Sequence, residues 1–143
     1  MEVSLSELEQ FAAQFVADLP KAISGQAHIV GLKGDLGAGK TTFVQAVARS
    51  LGVMGKVTSP TFVIASRYET THPVFTNLIH VDAYRLSGEE KDTFGFAGYL
   101  ANPHNLILVE WPENLPQEVR LPEGTANLAF EVRAEQVRDI TYV

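Results

Sequence analysis

Eight residues, Gly34 to Thr41, constrain the fold of this chain more than any other segment. They read Gly-Asp-Leu-Gly-Ala-Gly-Lys-Thr and match G-x-x-x-x-G-K-[ST] at every fixed position. An apolar run at 28–32 precedes them, and the segment 43–51 after them has apolar residues at helical spacing. In a strand–loop–helix unit of this kind, backbone N–H groups converge on an anion, and glycine permits its close approach. The segment therefore predicts a phosphate-binding loop.

Two side chains of this loop have expected chemical roles. Lys40 should reach the β- and γ-phosphates of a bound nucleotide as a mobile point charge. The Thr41 hydroxyl should ligate Mg²⁺, as the last position of this pattern does. The residues expected to contact the nucleotide are Asp35, Leu36, Gly37, Ala38, Gly39, Lys40, Thr41 and Thr42.

A second carboxylate is expected at the end of a neighbouring strand. Glu110 closes the longest apolar run, 106–110, and ligands gather at the carboxyl ends of strands in open α/β sheets. We therefore expect Glu110 to serve Mg²⁺ together with Thr41; the alternative is a solvated acid at a strand end. Trp111 follows, and its ring would either sense the nucleotide or a partner, or pack in an ordinary way.

Asp82 ends the predicted strand 77–82 in the same manner. It would bind metal-bound water or orient the water that attacks the γ-phosphate; the alternative is a cap for the next turn. Lys40, Asp82 and Glu110 form the predicted catalytic set, and the sequence leaves open which carboxylate orients the water. The polar segment 58–61 suits a sensor of the γ-phosphate or a plain Ser-Pro turn.

The remaining segments complete one α/β pattern. Ser4 and Glu7 fit a capping box before a helix that Pro20 stops. A short strand is predicted at 62–64, one or two helices between 87 and 100, and a hairpin from 126–132 and 137–143. We therefore predict a single domain over residues 1–143, with a mainly parallel central sheet, helices on its faces and a C-terminal antiparallel strand pair.

Composition excludes several classes of protein. The chain has 143 residues, no cysteine and four scattered histidines, so we expect neither disulfides nor a zinc site. No apolar run approaches the ~20 residues of a membrane span, and the N-terminal residues lack a signal pattern, so a cytoplasmic protein without a membrane partner is expected. The net charge of −6 has the wrong sign for neutralising nucleic-acid phosphates; other subunits should carry most contact with any nucleic acid.

Four blocks together resemble the bacterial TsaE family: Gly34–Thr42, Ser59–Phe62, His80–Leu86 and Val109–Pro112. That family is the ATPase component of the machinery that makes threonylcarbamoyladenosine next to the tRNA anticodon. The resemblance implies the three-layer fold of P-loop nucleoside triphosphatases, ATP and Mg²⁺ as ligands, and a weak intrinsic ATPase. It also implies TsaB-like and TsaD-like partners, contact with tRNA only through that complex, and hydrolysis that resets the complex between rounds of transfer.

Carried over by position, the resemblance assigns phosphate contact to Lys40, Mg²⁺ to Thr41 and Glu110, and hydrolysis to Asp82. The sequence departs from the family pattern after Ser87–Glu90, with Phe94-Gly95-Phe96 where a helix contacting partners is expected, and its tail is short. The base contacts, the partner surface and the oligomeric state therefore stay open.

Two alternative functions stay open. A small-molecule kinase would need arginines clustered in a lid, whereas basic residues such as Arg67 and Arg85 are scattered along this chain. A non-catalytic module, in which ATP organises a protein interface, would share the same loop. A GTPase is disfavoured because the chain lacks the Asn-Lys-x-Asp sequence that reads guanine.

Overall fold

A computed structural model describes residues 1–55, 57, 65–86, 95–116, 119, 121–122 and 125–143. The predicted turn at 58–61, the strand at 62–64 and the cap at Ser87 lie outside these residues. The described strands are β1 Glu2–Ser4, β2 His28–Lys33, β3 Ala65–Glu69, β4 Asn77–Asp82, β5 Asn105–Glu110, β6 Ala126–Ala134 and β7 Val137–Tyr142; the helices are α1 Leu8–Ala17, α2 Lys40–Ser50 and α3 Phe96–Ala101.

One sheet contains all the described strands, in the order β1-β7-β6-β2-β5-β4-β3. Its centre is parallel, because β2 pairs with both β5 and β6, and β5 pairs with β4, in parallel. The outer pairs β3–β4, β6–β7 and β1–β7 are antiparallel. The predicted mainly parallel sheet and the C-terminal antiparallel pair are both confirmed. The carboxyl ends of β2, β4 and β5 lie side by side, with Leu32 opposite Glu110 and Asp82 opposite Glu110.

Apolar side chains cover both faces of the central strands. On β5, Leu106 and Leu108 face a core that α1 and α2 cover. Ile107 and Val109 face a second core that includes Phe96 of α3. Successive side chains of a strand point to opposite faces, so a strand buried on both sides reads as the continuous apolar run seen in the sequence. The three-layer α/β architecture is thereby confirmed.

The N-terminal segment differs from its prediction. Before α1 the chain forms strand β1 and a 3-10 turn at Leu5–Glu7. A Glu7 carboxylate oxygen accepts hydrogen bonds from the Ser4 backbone N–H at 3.0 Å and from the Ser4 hydroxyl at 2.8 Å. The predicted pairing of these residues is present, and the helix itself ends at Ala17. Three residues are too few for their alternation to signal a strand, so β1 was missed.

Strand β3 and helix α3 differ from the sequence prediction in different ways. Strand β3 was not predicted because its sequence, Ala-Ser-Arg-Tyr-Glu, is polar and its side chains are half-buried or exposed at the sheet edge. Helix α3 overlaps the segment 87–100, where one or two helices were predicted, and ends one residue beyond it; the helix starts after Gly95, which has φ +73°. Within the described residues, no helix has both the length and the apolar character needed to cross a bilayer.

Candidate functional site: a glycine loop facing a buried carboxylate

Three glycines bend the chain between β2 and α2. Gly34, Gly37 and Gly39 have φ values of +148°, +78° and +101°, which L side chains rarely adopt. At Gly34 a Cβ would also lie 2.6 Å from the Phe130 carbonyl oxygen of β6, so a larger residue cannot occupy this position unless the backbone moves. The Ala38 N–H donates to the carbonyl of Asp35 at 3.1 Å and closes the loop.

Helix α2 begins at the end of this loop. Gly39 is its N-cap, and the N–H of Phe43 donates to the Gly39 carbonyl at 2.9 Å. The N–H groups of the first turn have no carbonyl one turn earlier to bond, and the helix dipole makes this end partially positive. The loop and the helix therefore present N–H groups and positive potential to one space, which suits an anion.

Lys40 places a buried cation inside this loop. It is only 4% exposed, and its Nζ donates a hydrogen bond to the Gly34 carbonyl. The ammonium also lies 3.7 Å from the centre of the Trp111 ring, a cation–π contact. Burial lowers the pKa of Lys40, and the neighbouring carboxylate of Glu110 partly opposes that shift. The structure thus holds the ammonium of a buried lysine at the loop.

Thr41 and Glu110 are hydrogen-bonded across the mouth of the loop. The Thr41 hydroxyl lies 2.9 and 3.1 Å from the two carboxylate oxygens of Glu110. Glu110 is 3% exposed, so it is not a solvated strand-end acid. Its second partner is His80, whose Nε2 lies 2.5 Å from Oε2. A buried carboxylate is stable only when its oxygens are hydrogen-bonded, and these two contacts meet that need.

Asp82 lines the same cavity at the end of β4. One carboxylate oxygen accepts the backbone N–H of Tyr84 at 3.0 Å, so the capping role is observed. Asp82 nevertheless belongs to the site, because it is among the residues that line the cavity. The Tyr84 ring packs against Trp111 with centroids 5.2 Å apart.

Trp111 has an unusual backbone conformation. Its φ of +59° makes it the non-glycine residue with positive φ among those described, a state that costs an L-residue roughly 1–2 kcal/mol. Its N–H donates to the Leu32 carbonyl of β2 at 3.2 Å, which fixes the turn. This turn places the indole over the loop, in contact with the Lys40 ammonium.

Arg138, from β7, holds the opposite side of the loop. Its Nε donates to the Ala38 carbonyl at 3.1 Å, and a terminal nitrogen lies 3.4 Å from the Gly37 carbonyl. Arg138 was not predicted, because it is far from the loop in sequence and arrives only through the hairpin of β6 and β7.

A cavity of about 410 Å³ is lined by residues of the glycine loop and by Asp82, Glu110, Trp111 and Arg138. Of the predicted nucleotide-contacting residues, Asp35 alone does not line it; its side chain is exposed at the start of the loop. Lining residues that sequence reasoning missed are Leu5, Tyr84 and Arg138. The cavity is lined by Leu5, Leu36, Gly37, Ala38, Gly39, Lys40, Thr41, Thr42, Asp82, Tyr84, Glu110, Trp111 and Arg138.

The oxygen donors of Thr41 and Glu110 fit a magnesium ion. Mg²⁺ prefers hard oxygen ligands and in nucleotide sites takes only one or two from the protein, with water and phosphate oxygens completing the shell. Within the described residues, no group of three or more His, Asp or Glu side chains could hold a metal by itself. The pair Thr41–Glu110 therefore suits an ion that a phosphate also ligates.

Similar proteins identify the family. A family sequence model described as "Threonylcarbamoyl adenosine biosynthesis protein TsaE" matches residues 3–140. The chain is 38% identical over 117 residues to the "tRNA threonylcarbamoyladenosine biosynthesis protein TsaE" of Synechocystis sp., covering 79% of this chain and 69% of that protein. It is 34% identical over 127 residues to the protein of the same name from Bacillus subtilis, covering 89% and 76%.

A solved structure supports the same conclusion. The crystal structure of YdiB from Bacillus subtilis superposes on this chain with a TM-score of 0.69 at 27% identity, covering 99% of this chain and 83% of that one. The match of the family model over nearly the whole length shows that this chain belongs to the TsaE family of threonylcarbamoyladenosine biosynthesis.

Proposed function

We propose that this protein binds ATP with Mg²⁺ in the cavity between the glycine loop and β5, and hydrolyses it slowly. The observation that carries the proposal is the contact of Thr41 with the buried carboxylate of Glu110 at the mouth of the loop. Burying a charged group lowers stability unless it is paired. A glycine turn that bound no ligand would therefore have no use for a buried carboxylate beside Thr41.

The loop would bind the phosphates through its N–H groups and through Lys40. The Lys40 ammonium donates a hydrogen bond to the Gly34 carbonyl and lies over the Trp111 ring. A phosphate oxygen is a stronger partner than either, since hydrogen bonds between charged groups are about twice as strong as neutral ones. Binding would therefore shift Lys40 from the ring toward the β- and γ-phosphates.

Thr41 and Glu110 would hold Mg²⁺, which when bound neutralises charge that develops on the phosphates. His80 would keep the Glu110 carboxylate oriented through Nε2. Asp82 lines the cavity at the end of β4, and its carboxylate would position a water molecule. We assign hydrolysis to Asp82 and Glu110. One of these two carboxylates would orient the attacking water.

We propose slow turnover for the isolated protein. Fast phosphoryl transfer in related chemistry needs an arginine at the transferred phosphate. The cations among the described lining residues are Lys40 and Arg138, and Arg138 is hydrogen-bonded to carbonyls on the far side of the loop. Among the described residues, Lys40 would then be the cation that meets the charge on the transferred group, together with Mg²⁺.

The biological role follows from the family. We propose that this chain is the ATPase subunit that cycles a complex with TsaB-like and TsaD-like subunits in threonylcarbamoylation of tRNA adenosine, in the cytoplasm. Its net charge of −6 supports contact with tRNA through those subunits rather than directly. Hydrolysis would reset the complex between rounds of transfer and would not supply the transferred group.

The test is phosphate release from Mg·ATP, measured for the protein alone and with TsaB and TsaD subunits of the same organism. We expect slow release alone and faster release in the mixture, with Asp82→Asn as the low-activity control. A non-catalytic module would give no release in either case and equal behaviour for that variant. A kinase would instead transfer the phosphate to an added small molecule at the expense of release to water.

A further inference from the structure

A second cavity, of about 360 Å³, lies between one side of α1, the start of β1 and the end of β7. None of its described lining residues also lines the cavity at the glycine loop. The function proposed above therefore gives it no role. We call this cavity the α1 groove; its lining residues include Val3, Glu7, Phe11, Phe15, Asp18 and Tyr142.

The floor of the α1 groove is apolar. Val3 and Phe15 are buried in the core beneath α1, and Phe11 is half-buried against the same core. Tyr142 lines the groove although its side chain is 62% exposed. Apolar surfaces that a soluble protein leaves open to water mark sites of interaction when they are concave and continuous. The groove therefore suits an apolar side chain of another molecule.

The charged side chains that line the α1 groove are acidic. They belong to Glu2, Glu7 and Asp18, and the described lining residues include no lysine, arginine or histidine. The amine of Met1 also lies there, but it is paired with Asp139 at 3.0 Å. Among the described residues, the rim of the groove thus has an excess of negative charge. Complementary charge guides the choice of partner, so this rim favours a basic one.

Two of these carboxylates lie at opposite ends of α1. Glu7 accepts hydrogen bonds from the N–H and hydroxyl of Ser4, and Asp18 accepts one from the Gln14 amide at 2.8 Å. These partners are neutral, so they leave the charge of both carboxylates in place. Burial and, to a smaller extent, the charge of Asp18 raise the pKa of Tyr142. Along the helix, Glu7 and Asp18 are separated by a rise of about 16 Å.

Strand β1 adds an open sheet edge to the groove. It is the last strand of the described sheet and pairs with β7 on one side. The Met1 carbonyl accepts the N–H of Ile140, and main-chain groups of successive residues in an antiparallel pair point in opposite directions. Those of Glu2 and Ser4 therefore point away from β7. The Ser4 N–H is bonded to Glu7, whereas the N–H and carbonyl of Glu2 face the open edge.

We propose that the α1 groove binds an extended segment of a partner protein in which basic residues flank an apolar anchor. The anchor packs against Phe11, Phe15 and Tyr142. The basic side chains lie near Glu7 and Asp18, and the backbone of the segment bonds the open edge of β1. At about 3.3 Å per extended residue, basic residues five positions apart match the separation of the two carboxylates.

The experiment titrates three capped peptides into the isotope-labelled full chain and follows its backbone amides by NMR. The probe is Lys-Ser-Leu-Leu-Ser-Lys. One control peptide replaces both lysines by glutamate, and the other replaces both leucines by serine. Comparison of the three separates the contribution of charge from that of the apolar anchor.

The same titration is repeated on variants of the groove. Glu7→Gln/Asp18→Asn removes two charges while the glutamine still accepts from Ser4, as it does in a capping box; Glu69→Gln/Glu135→Gln removes two exposed charges elsewhere. Tyr142→Ser removes the exposed ring, and Val132→Ser, at an exposed position of β6, is its control. Thermal unfolding without peptide checks that each variant is folded.

We expect the probe to bind the wild type with a Kd of about 0.1–1 mM and to shift amides of α1, β1 and the end of β7. Both control peptides should bind at least about fivefold more weakly. The charge variant and Tyr142→Ser should each weaken the probe by about three- to tenfold, while their controls match the wild type.

Other results would overturn the proposal. They are no binding of the probe, equal binding of the three peptides, and an unchanged affinity in the charge variant. Shifts of the same amides when the protein is concentrated without peptide would assign the groove to a second copy of the chain instead. Mg·ATP is absent throughout, so none of these results depends on the nucleotide site.

Discussion

His80 and Glu110 form a buried pair at the centre of the site. Nε2 of His80 lies 2.5 Å from Oε2 of Glu110, with the two residues 0% and 3% exposed. Nδ1 of His80 is buried and has no hydrogen-bond partner among the described residues. The ring is thus held by Glu110 on one side and by packing on the other, which fits a histidine that orients a carboxylate.

The effects of substituting His80 and Glu110 on the free energy of unfolding should be coupled. We expect His80→Phe and Glu110→Leu each to lower the free energy of unfolding by about 1–3 kcal/mol, because each removes a hydrogen-bond partner from a buried polar group. The double variant should be less destabilised than the sum of the two, by about 0.5–3 kcal/mol. Urea unfolding of the four proteins measures this coupling. Strict additivity would mean that the pair makes no net interaction.

Glu110→Gln should separate binding from turnover. The amide keeps the shape of the side chain and a hydrogen bond to Thr41, but it loses the charge that attracts Mg²⁺. We expect ATP affinity without Mg²⁺ to stay within a few-fold of the wild type, the gain from adding Mg²⁺ to be largely lost, and phosphate release to fall at least about tenfold. Glu113→Gln, at an exposed neighbouring carboxylate, is the control. Full turnover in Glu110→Gln contradicts the role given to this residue.

Trp111 should report nucleotide binding by fluorescence. It is the single tryptophan of the chain, and the Lys40 ammonium lies 3.7 Å from its ring centre. Because a phosphate would draw that ammonium away, we expect the emission intensity to change on addition of Mg·ATP. Trp111→Phe should abolish the signal while calorimetry still detects binding. A wild type that binds nucleotide with constant emission would mean that Lys40 stays over the ring.

The stability of the fold should fall in mildly acidic solution because of His72. Its Nδ1 accepts the N–H groups of Val74 and Phe75 at 3.1 and 3.0 Å, and burial, with a smaller contribution from Lys21, lowers the pKa of His72. Below the unfolded pKa of about 6.5 the unfolded chain binds more protons than the native one. The contribution of His72 to the free energy of unfolding is therefore fully present above that pH. It is lost as the pH falls through the native pKa.

His72→Asn isolates this effect, since the Asn oxygen can accept the same N–H groups and does not titrate. Urea unfolding at pH 7.5 and pH 5.5 should show a smaller loss of stability in the variant than in the wild type. Some dependence should remain, because burial also lowers the pKa of His28. An identical loss in both proteins would exclude His72 as its source.

Local sequence was enough to predict the glycine loop between β2 and α2 and the carboxylate opposite it. The glycines of the loop are required by its own backbone geometry, and Glu110 is marked by the apolar run that it ends. Both signals lie within a few consecutive residues. For the same reason β2, β4, β5 and the C-terminal hairpin were predicted close to their observed bounds.

The parts that were missed depend on contacts between distant segments. His80 shares a strand with Asp82, but its partner Glu110 follows only from the parallel pairing of β4 with β5. Leu5 and Arg138 reach the cavity only because β7 pairs with both β6 and β1. A single sequence carries no local mark of those pairings, so these residues could be identified only in the folded chain.

Calorimetric titration of Mg·ATP into the wild type and Lys40→Ala tests the central claim most directly. We expect one nucleotide to bind per wild-type chain, and we expect the variant to bind roughly ten- to a hundredfold more weakly, as the loss of a charged hydrogen bond implies. Arg133→Gln should match the wild type. No nucleotide uptake by the wild type, or equal affinity in Lys40→Ala, would contradict the account.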